Sequence, residues 1–310
     1  MGLGLAAVGR PGYITLGRDH DLPPERDVEA MRHRVHDLLD QAYANGVRHI
    51  DTARSYGRAE EFLAGWLNRG EERPGLVVSS KWGYTYTADW RIHAEHPEIK
   101  DHSVAAYDRQ VVETRRLLGD HLDIYQVHSI TPDSTALTDT VLHRRLAALA
   151  AEGVTVGLST SGPGQADAVR AALAVTVDGE PLFRSVQATW NLLEPSVGPA
   201  LAEAHASGRF VIVKEGLANG RLAVGGEATD RVLGPIAEAA GVSYDVVALA
   251  AILRQPWAGT VLSGAATTAQ LTSNLRARSL DLTEEQLAAL TELAEPRDTY
   301  WAERSQLPWN

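Results

Sequence analysis

The chain has 310 residues, 44% hydrophobic and 22% charged, enough to bury a large core without a covalent staple. It contains no cysteine, which excludes disulfides, a thiolate nucleophile, zinc–cysteine centres and iron–sulfur clusters. With 29 Lys and Arg against 40 Asp and Glu, the net charge of −11 argues against nucleic acid or an anionic membrane as partner, while leaving room for a local cationic pocket.

Met1-Gly2-Leu3-Gly4-Leu5-Ala6 lacks the charged start and long apolar run of a secretory signal, and no stretch approaches the ~20 apolar residues of a membrane helix. A cytoplasmic location is expected. Short apolar, β-branched runs then alternate with segments of helical period. In chain order the readings are a strand at Leu3–Val8, a helix at Asp27–Ala44, a strand at Val47–Asp51, a helix at Ala59–Asn68 and a strand at Leu76–Lys81. A helix at Val104–Leu118, a strand at Leu122–His128, a helix at Val141–Ala151, a strand at Val154–Ser159 and a helix at Gln165–Ala174 follow. Strands at Ser185–Trp190, Phe210–Lys214 and Thr260–Gly264 and a helix at Thr283–Leu293 complete the pattern. Alternating β and α elements with near-continuous apolar strands predict a covered parallel sheet. Eight strands are the number that closes a (β/α)₈ TIM barrel; an open doubly wound sheet is the alternative.

Two stretches break the rhythm, Tyr84–His102 without a clear period and the Gly-rich Arg221–Glu227. Both follow strands on the side where a barrel builds its site, so they read as long loops of one domain spanning 1–310, not as linkers. Gly9-Arg10-Pro11-Gly12-Tyr13 reads as the loop after the first strand. Gly2-x-Gly4-x-x-Ala7 matches a dinucleotide fingerprint only nominally, since no strand precedes it. His93, His96 and His102 are irregularly spaced and read as solvated, so no metal site is expected. The aromatic tail from Tyr300-Trp301 to Trp309-Asn310 reads as a flap over the site or as a packing or homo-oligomer contact.

Three strand ends carry ionisable side chains that a barrel would bring together: Asp51 with Tyr56 five residues on, Lys81, and His128. Singly, each has a structural reading: a turn cap, a packed ring, half of an ion pair and a satisfied core histidine. Together they place an acid, a phenol, a lysine and an imidazole at one mouth. A buried Lys81 calls for Asp51 as its partner, and a cation beside the phenol is expected to lower the Tyr56 pKa.

In these residues the chain resembles the aldo-keto reductases over nearly its whole length. The resemblance lies in His-Ile-Asp-Thr-Ala-x-x-Tyr-Gly at 49–57, Ser-Lys-Trp-Gly at 80–83 and Leu-Asp-Ile-Tyr-Gln-Val-His at 122–128. It implies a barrel that binds a nicotinamide dinucleotide, and a catalytic tetrad of Asp51, Tyr56, Lys81 and His128. Hydride would pass from the cofactor to a carbonyl carbon and a proton from Tyr56 to its oxygen, giving an alcohol, with the reverse reaction also available. The partner implied is a small carbonyl or alcohol substrate. A slow-turnover NADP(H) redox sensor or binding subunit is the alternative role, and a lyase using Lys81 as a Schiff base is a third.

The resemblance also implies that Ser159, Thr160 and Gln187 hold the nicotinamide carboxamide, with Thr160 standing where Asn is usual. Gly264, Ala265, Thr267, Gln270 and Asn274 would serve the adenosine end, although Thr267-x-x-Gln270 is a capping box in its own right. Gly264 and Gln270 stand where many relatives carry Lys and Arg. NADP(H) is favoured, with NAD(H) open. Lys214 replaces a ring-stacking aromatic, and two readings stand: an ammonium near the pyrophosphate, or a pair with Glu215. Arg221 is a second candidate cation, and Trp82, Tyr84 and Trp190 are candidate pocket walls.

Overall fold

In a computed structural model of the chain, which describes residues 1–17, 21–22 and 25–310, the eight expected strands close into a parallel (β/α)₈ barrel. They are β1 Gly2–Gly4, β2 His49–Asp51, β3 Val77–Trp82, β4 Ile124–Ile130, β5 Thr155–Thr160, β6 Ser185–Thr189, β7 Phe210–Lys214 and β8 Thr260–Ser263. Each pairs with the next, and Gly2 beside Leu262 closes the ring. β1 is the largest departure from the sequence reading: Leu5–Val8 turns away after Leu5 N–H bonds Asp51 O.

The helices form for the reasons legible in the sequence. Val28–Ala44 buries the stripe Met31, Val35, Leu38 and Leu39, and Asp27 caps it by accepting from Ala30 N–H. Ser103 and Asp139 cap Val104–Leu118 and Thr140–Ala151 in the same way. No single helix among the described residues is long and apolar enough to cross a membrane.

Strand alternation decides which side chains face the barrel axis. From β4, Tyr125 turns outward to Thr114 of the surrounding helix, while Gln126 turns inward and bonds Ser185 of β6. The interior is unusually polar. His49 bonds Ser79, Gln187 bonds Gln126 and Asp51, and among the described residues Ile124, Ile212 and Leu262, with Val77, form a small apolar cluster of their own.

Both irregular stretches carry structure. Tyr84–His102 holds an antiparallel hairpin, Tyr84–Tyr86 with Glu98–Lys100, which the absence of a period concealed. Arg221–Val224 is a short helix, and Gly225 and Gly226, at φ of 88° and 152°, turn the chain into the helix Glu227–Ala240. The tail is anchored to the barrel mouth. Arg304 of the helix Arg297–Ser305 grips Glu215 with both carboxylate oxygens engaged, its Nε 2.9 Å from Oε2. Asn310 exchanges two backbone hydrogen bonds with Tyr13, at 3.0 and 3.1 Å.

Burial alone would raise the Glu215 pKa, but Arg304 and Lys214 overcome it and hold the carboxyl at about 2. A carboxylate whose folded pKa is depressed contributes stability that is complete above its unfolded value, near 4.5, and is lost as pH falls toward the folded one. The stability gap between wild type and Glu215→Gln is therefore expected to narrow by about 3 kcal/mol as pH falls from about 5 toward 2. Urea unfolding at stepped pH measures it, and a gap that stays constant contradicts the assignment.

Candidate active site

The C-terminal ends of the strands open into a trough of two lobes. The inner lobe, about 310 Å³, is lined by Asp51, Tyr56, His128 and Gln187, together with Arg10, Tyr84, Lys214 and Trp309. The outer lobe, about 480 Å³, is lined by Gly264, Ala265, Gln270 and Asn274. Ala7, Tyr13, Glu215, Leu262, Ser263 and Gly264 belong to both walls, so the lobes adjoin.

The inner lobe is built around one buried ion pair. Lys81 has no exposed surface; its Nζ donates to Asp51 Oδ2 at 2.5 Å and to Thr52 O at 2.8 Å. Asp51 Oδ1 accepts from Ser79 Oγ at 2.7 Å and Gln187 Nε2 at 2.9 Å, so the carboxylate is fully hydrogen-bonded. Removing one partner of such a pair typically costs about 3–5 kcal/mol, because a charge is left buried alone. Lys81 does not line the trough. It lies beneath Tyr56, 5.0 Å from the ring centroid.

Two loops must nearly touch to put Tyr56 there. A side chain on Gly9 would come within 2.3 Å of Tyr56 O, and one on Gly57, at φ of 61°, within 2.6 Å of Gly9 O. His128 is turned into the mouth by a bulge: Ser129 takes φ of 53°, its N–H bonds Ser159 Oγ at 2.8 Å, and His102 Nε2 bonds His128 O at 2.8 Å. The His128 ring meets Tyr56 at 5.6 Å and Tyr84 at 5.1 Å, both edge-on.

The electrostatics correct one expectation. The Tyr56 pKa is raised well above its ordinary value, first by burial and then by Asp51. Lys81 fails to lower it overall because burial outweighs it and its charge is committed to Asp51. His128 is held well below the usual imidazole range by burial and by the cations Lys81, Lys214 and Arg10. Lys214 falls to about 8 through burial, despite Glu215 nearby.

Several expected residues stand elsewhere. Ser159 holds the bulge after His128, and Thr160 bonds Gln165; neither lines the trough. Thr267 is consumed by its capping box, whose Gln270 side chain accepts from Ala266 and Thr267 N–H while still lining the outer lobe. Arg221 pairs with Glu295 and Glu303. Trp82 packs on Tyr107 and Trp190 on Trp257, leaving Tyr84 as the wall among the three. His93 and His96 are exposed, but His102 is buried in the support of His128.

Sequence reasoning missed Glu98 and the grip of Arg304 on Glu215, whereas Glu215 stands beside Lys214 and Arg10 stands at the mouth, where the loop after the first strand was expected. Arg10 Nη1 bonds Glu98 Oε1 at 2.6 Å and Ser55 O at 2.8 Å, and its guanidinium lies 4.6 Å from the Trp309 ring and 5.6 Å from that of Tyr56. The aromatic tail and the loop after the first strand were the signals that pointed toward this cluster.

The trough suits an extended ligand with a hydrogen-bonding head in the inner lobe and a longer body along the more apolar outer one. His128 Nδ1 is buried without a partner, and Gly264 presents open backbone at the junction, with nothing within 4 Å of where a Cβ would stand. The His128 shift has a direct consequence: its ring resonances, assigned by comparison with His128→Gln, are expected not to titrate between about pH 5.5 and 8. A midpoint near 6.5 in nuclear magnetic resonance would contradict the buried, cation-flanked ring.

Comparison with known proteins agrees with this architecture. The Aldo/keto reductase family model matches residues 12–295. Protein tas of Escherichia coli (strain K12) is 25% identical, covering 83% of this chain and 88% of its own length. Aldo-keto reductase str7 of Strobilurus tenacellus is 24% identical, over 94% of this chain and 87% of its own. Among solved structures, the holo form of aldo-keto reductase AKR11C1 from Bacillus halodurans shares the fold with a TM-score of 0.70 at 21% identity, covering 95% and 92% of the two chains. The thermostable aldo-keto reductase Tm1743 in complex with epalrestat gives a TM-score of 0.65 at 22% identity, with 94% of each chain covered. On a family match that runs through nearly the whole barrel, the chain belongs to the aldo/keto reductase family.

Proposed function

We propose that this chain reduces an aldehyde or ketone to an alcohol, reversibly, with hydride from a nicotinamide dinucleotide and the proton from Tyr56. The observation that carries the reading is the shared mouth, in which Asp51, Tyr56 and His128 line one lobe and Lys81 is bonded behind Asp51. A bound nicotinamide supplies the hydride. Tyr56, with its raised pKa, keeps its proton through the neutral range and releases it as negative charge builds on the carbonyl oxygen. His128, kept neutral, has a ring N–H to offer the same oxygen. The Lys81–Asp51 pair fixes a cation under the phenol, so the phenolate left by proton transfer forms beside a held positive charge. Lys81 is sealed from the trough and tied to Asp51, which counts against an imine-forming lysine.

Gln187 and the Ser263–Gly264 junction would hold the nicotinamide side of the dinucleotide, and Ala265, Gln270 and Asn274 the adenosine side. NADP(H) over NAD(H) rests on the resemblance alone. The described residues lining the outer lobe include the carboxylates Asp21 and Asp245 and no Lys or Arg, so a 2′-phosphate would find no cation among them.

Tyr56→Phe is expected to lower kcat for 4-nitrobenzaldehyde by about 10²- to 10⁴-fold while leaving the Kd for NADPH within about twofold. Wild-type turnover by this variant would remove Tyr56 as the acid. Fluorescence titration is expected to give Kd values for NADPH and NADH within about tenfold of each other; a preference above about 100-fold either way overturns the account of the outer lobe.

A further inference from the structure

Lys214 ends β7 and lines the inner lobe beside Asp51, Tyr56 and His128. Its ammonium donates to Thr189 Oγ1 at 2.7 Å, its one hydrogen bond among the described residues. Thr189 in turn donates to Glu215 Oε2 at 2.9 Å. Glu215 faces Lys214 only at 4.0 Å and is already gripped by Arg304 from the tail helix. Lys214, Arg304 and Glu215 therefore sum to one positive charge at the wall of the mouth.

The neighbouring charges leave that excess in place. Asp51 of β2 is committed to Lys81 of β3, Arg10 from the first loop is paired with Glu98 of the hairpin, and His128 of β4 is neutral. The excess positive charge is thus carried by the group Lys214, Glu215 and Arg304 that lines the lobe in which Tyr56 acts, with Lys214 held by the more distant of the two contacts to Glu215.

Geometry puts the redox-active ring within reach of this charge. A ring that delivers hydride to a carbonyl protonated by Tyr56 must lie in the inner lobe. The rest of a dinucleotide would then run toward the outer lobe past the shared wall, which includes Glu215, the neighbour of Lys214, with Ser263 and Gly264. That ring is uncharged when reduced and a pyridinium cation when oxidised. A fixed positive charge beside it repels the oxidised form and leaves the reduced form untouched.

We propose that Lys214 makes this site hold the reduced dinucleotide more tightly than the oxidised one, so that each turnover in the reducing direction ends with ready release of the oxidised cofactor. The proposal rests on the reading of the trough as a nicotinamide dinucleotide site. The phosphates are common to both redox forms, so a lysine serving only as their contact would bind the two forms alike.

The test is equilibrium binding, followed by protein fluorescence, of NADPH, NADP⁺, NADH and NAD⁺ to the wild type, Lys214→Met and Lys214→Arg. The wild type is expected to favour the reduced form by on the order of tenfold. Lys214→Met should lose most of that preference, chiefly by tightening the oxidised form, while Lys214→Arg should retain it. In the wild-type protein, raising the pH from about 7 to about 9.5 should tighten the oxidised form relative to the reduced one as Lys214 loses its proton. An unchanged ratio in Lys214→Met, an equal loss of both forms, or a wild type without preference overturns the proposal. Failure of the wild type to bind any of the four dinucleotides overturns the parent reading instead.

Discussion

A lysine with no exposed surface, inside a barrel, must have its charge met on the spot, and Lys81 is met by Asp51 and the Thr52 carbonyl. That requirement propagates. Asp51 ends β2 in register with Ser79 of β3, two residues before Lys81 on the same strand, and its second oxygen is satisfied by Ser79 and by Gln187 of β6. Gln187 reaches on to Gln126, and Gln126 to Ser185. The barrel interior is consequently a hydrogen-bonded network more than an oily plug, and the site is its upper layer. Around Asp51 and Lys81 the charged atoms all have partners, which holds the base of the site in one geometry, as positioning a proton donor needs.

A second level of construction lies above the barrel. Arg10 gathers the rings of Tyr56 and Trp309 and bonds Glu98 of the hairpin, while Arg304 ties the tail to Glu215 after β7. First loop, hairpin and tail thus meet around the mouth through charged pairs. The acidic balance of the chain is consistent with this. Among the described residues its cations at the site are few, and Lys214 shares Glu215 with Arg304, which leaves a local positive excess that the overall charge of −11 does not reveal.

Much of this was legible in the chain. The eight strands were readable because β-branched runs between helical periods are a local signal, and Phe210–Lys214 is matched to the residue. The capping box at Thr267 was local as well. Asp51, Tyr56, Lys81 and His128 stood out because strand ends in a barrel converge. The hairpin within 84–102 was not visible: three-residue strands carry too little pattern to set them apart from a loop.

Sequence alone determined the alternation of elements, the absence of thiol chemistry and the identity of the strand-end side chains, since each depends on neighbours within a few residues. Tertiary structure decided what those side chains are. It set Ser159 Oγ on the backbone of the bulge after His128, buried His102 behind His128, and raised the Tyr56 pKa where an adjacent lysine had promised to lower it. The reason is the same in each case: burial, pairing and the sign of a pKa shift depend on groups brought together from distant parts of the chain, and only the closed barrel fixes which groups those are.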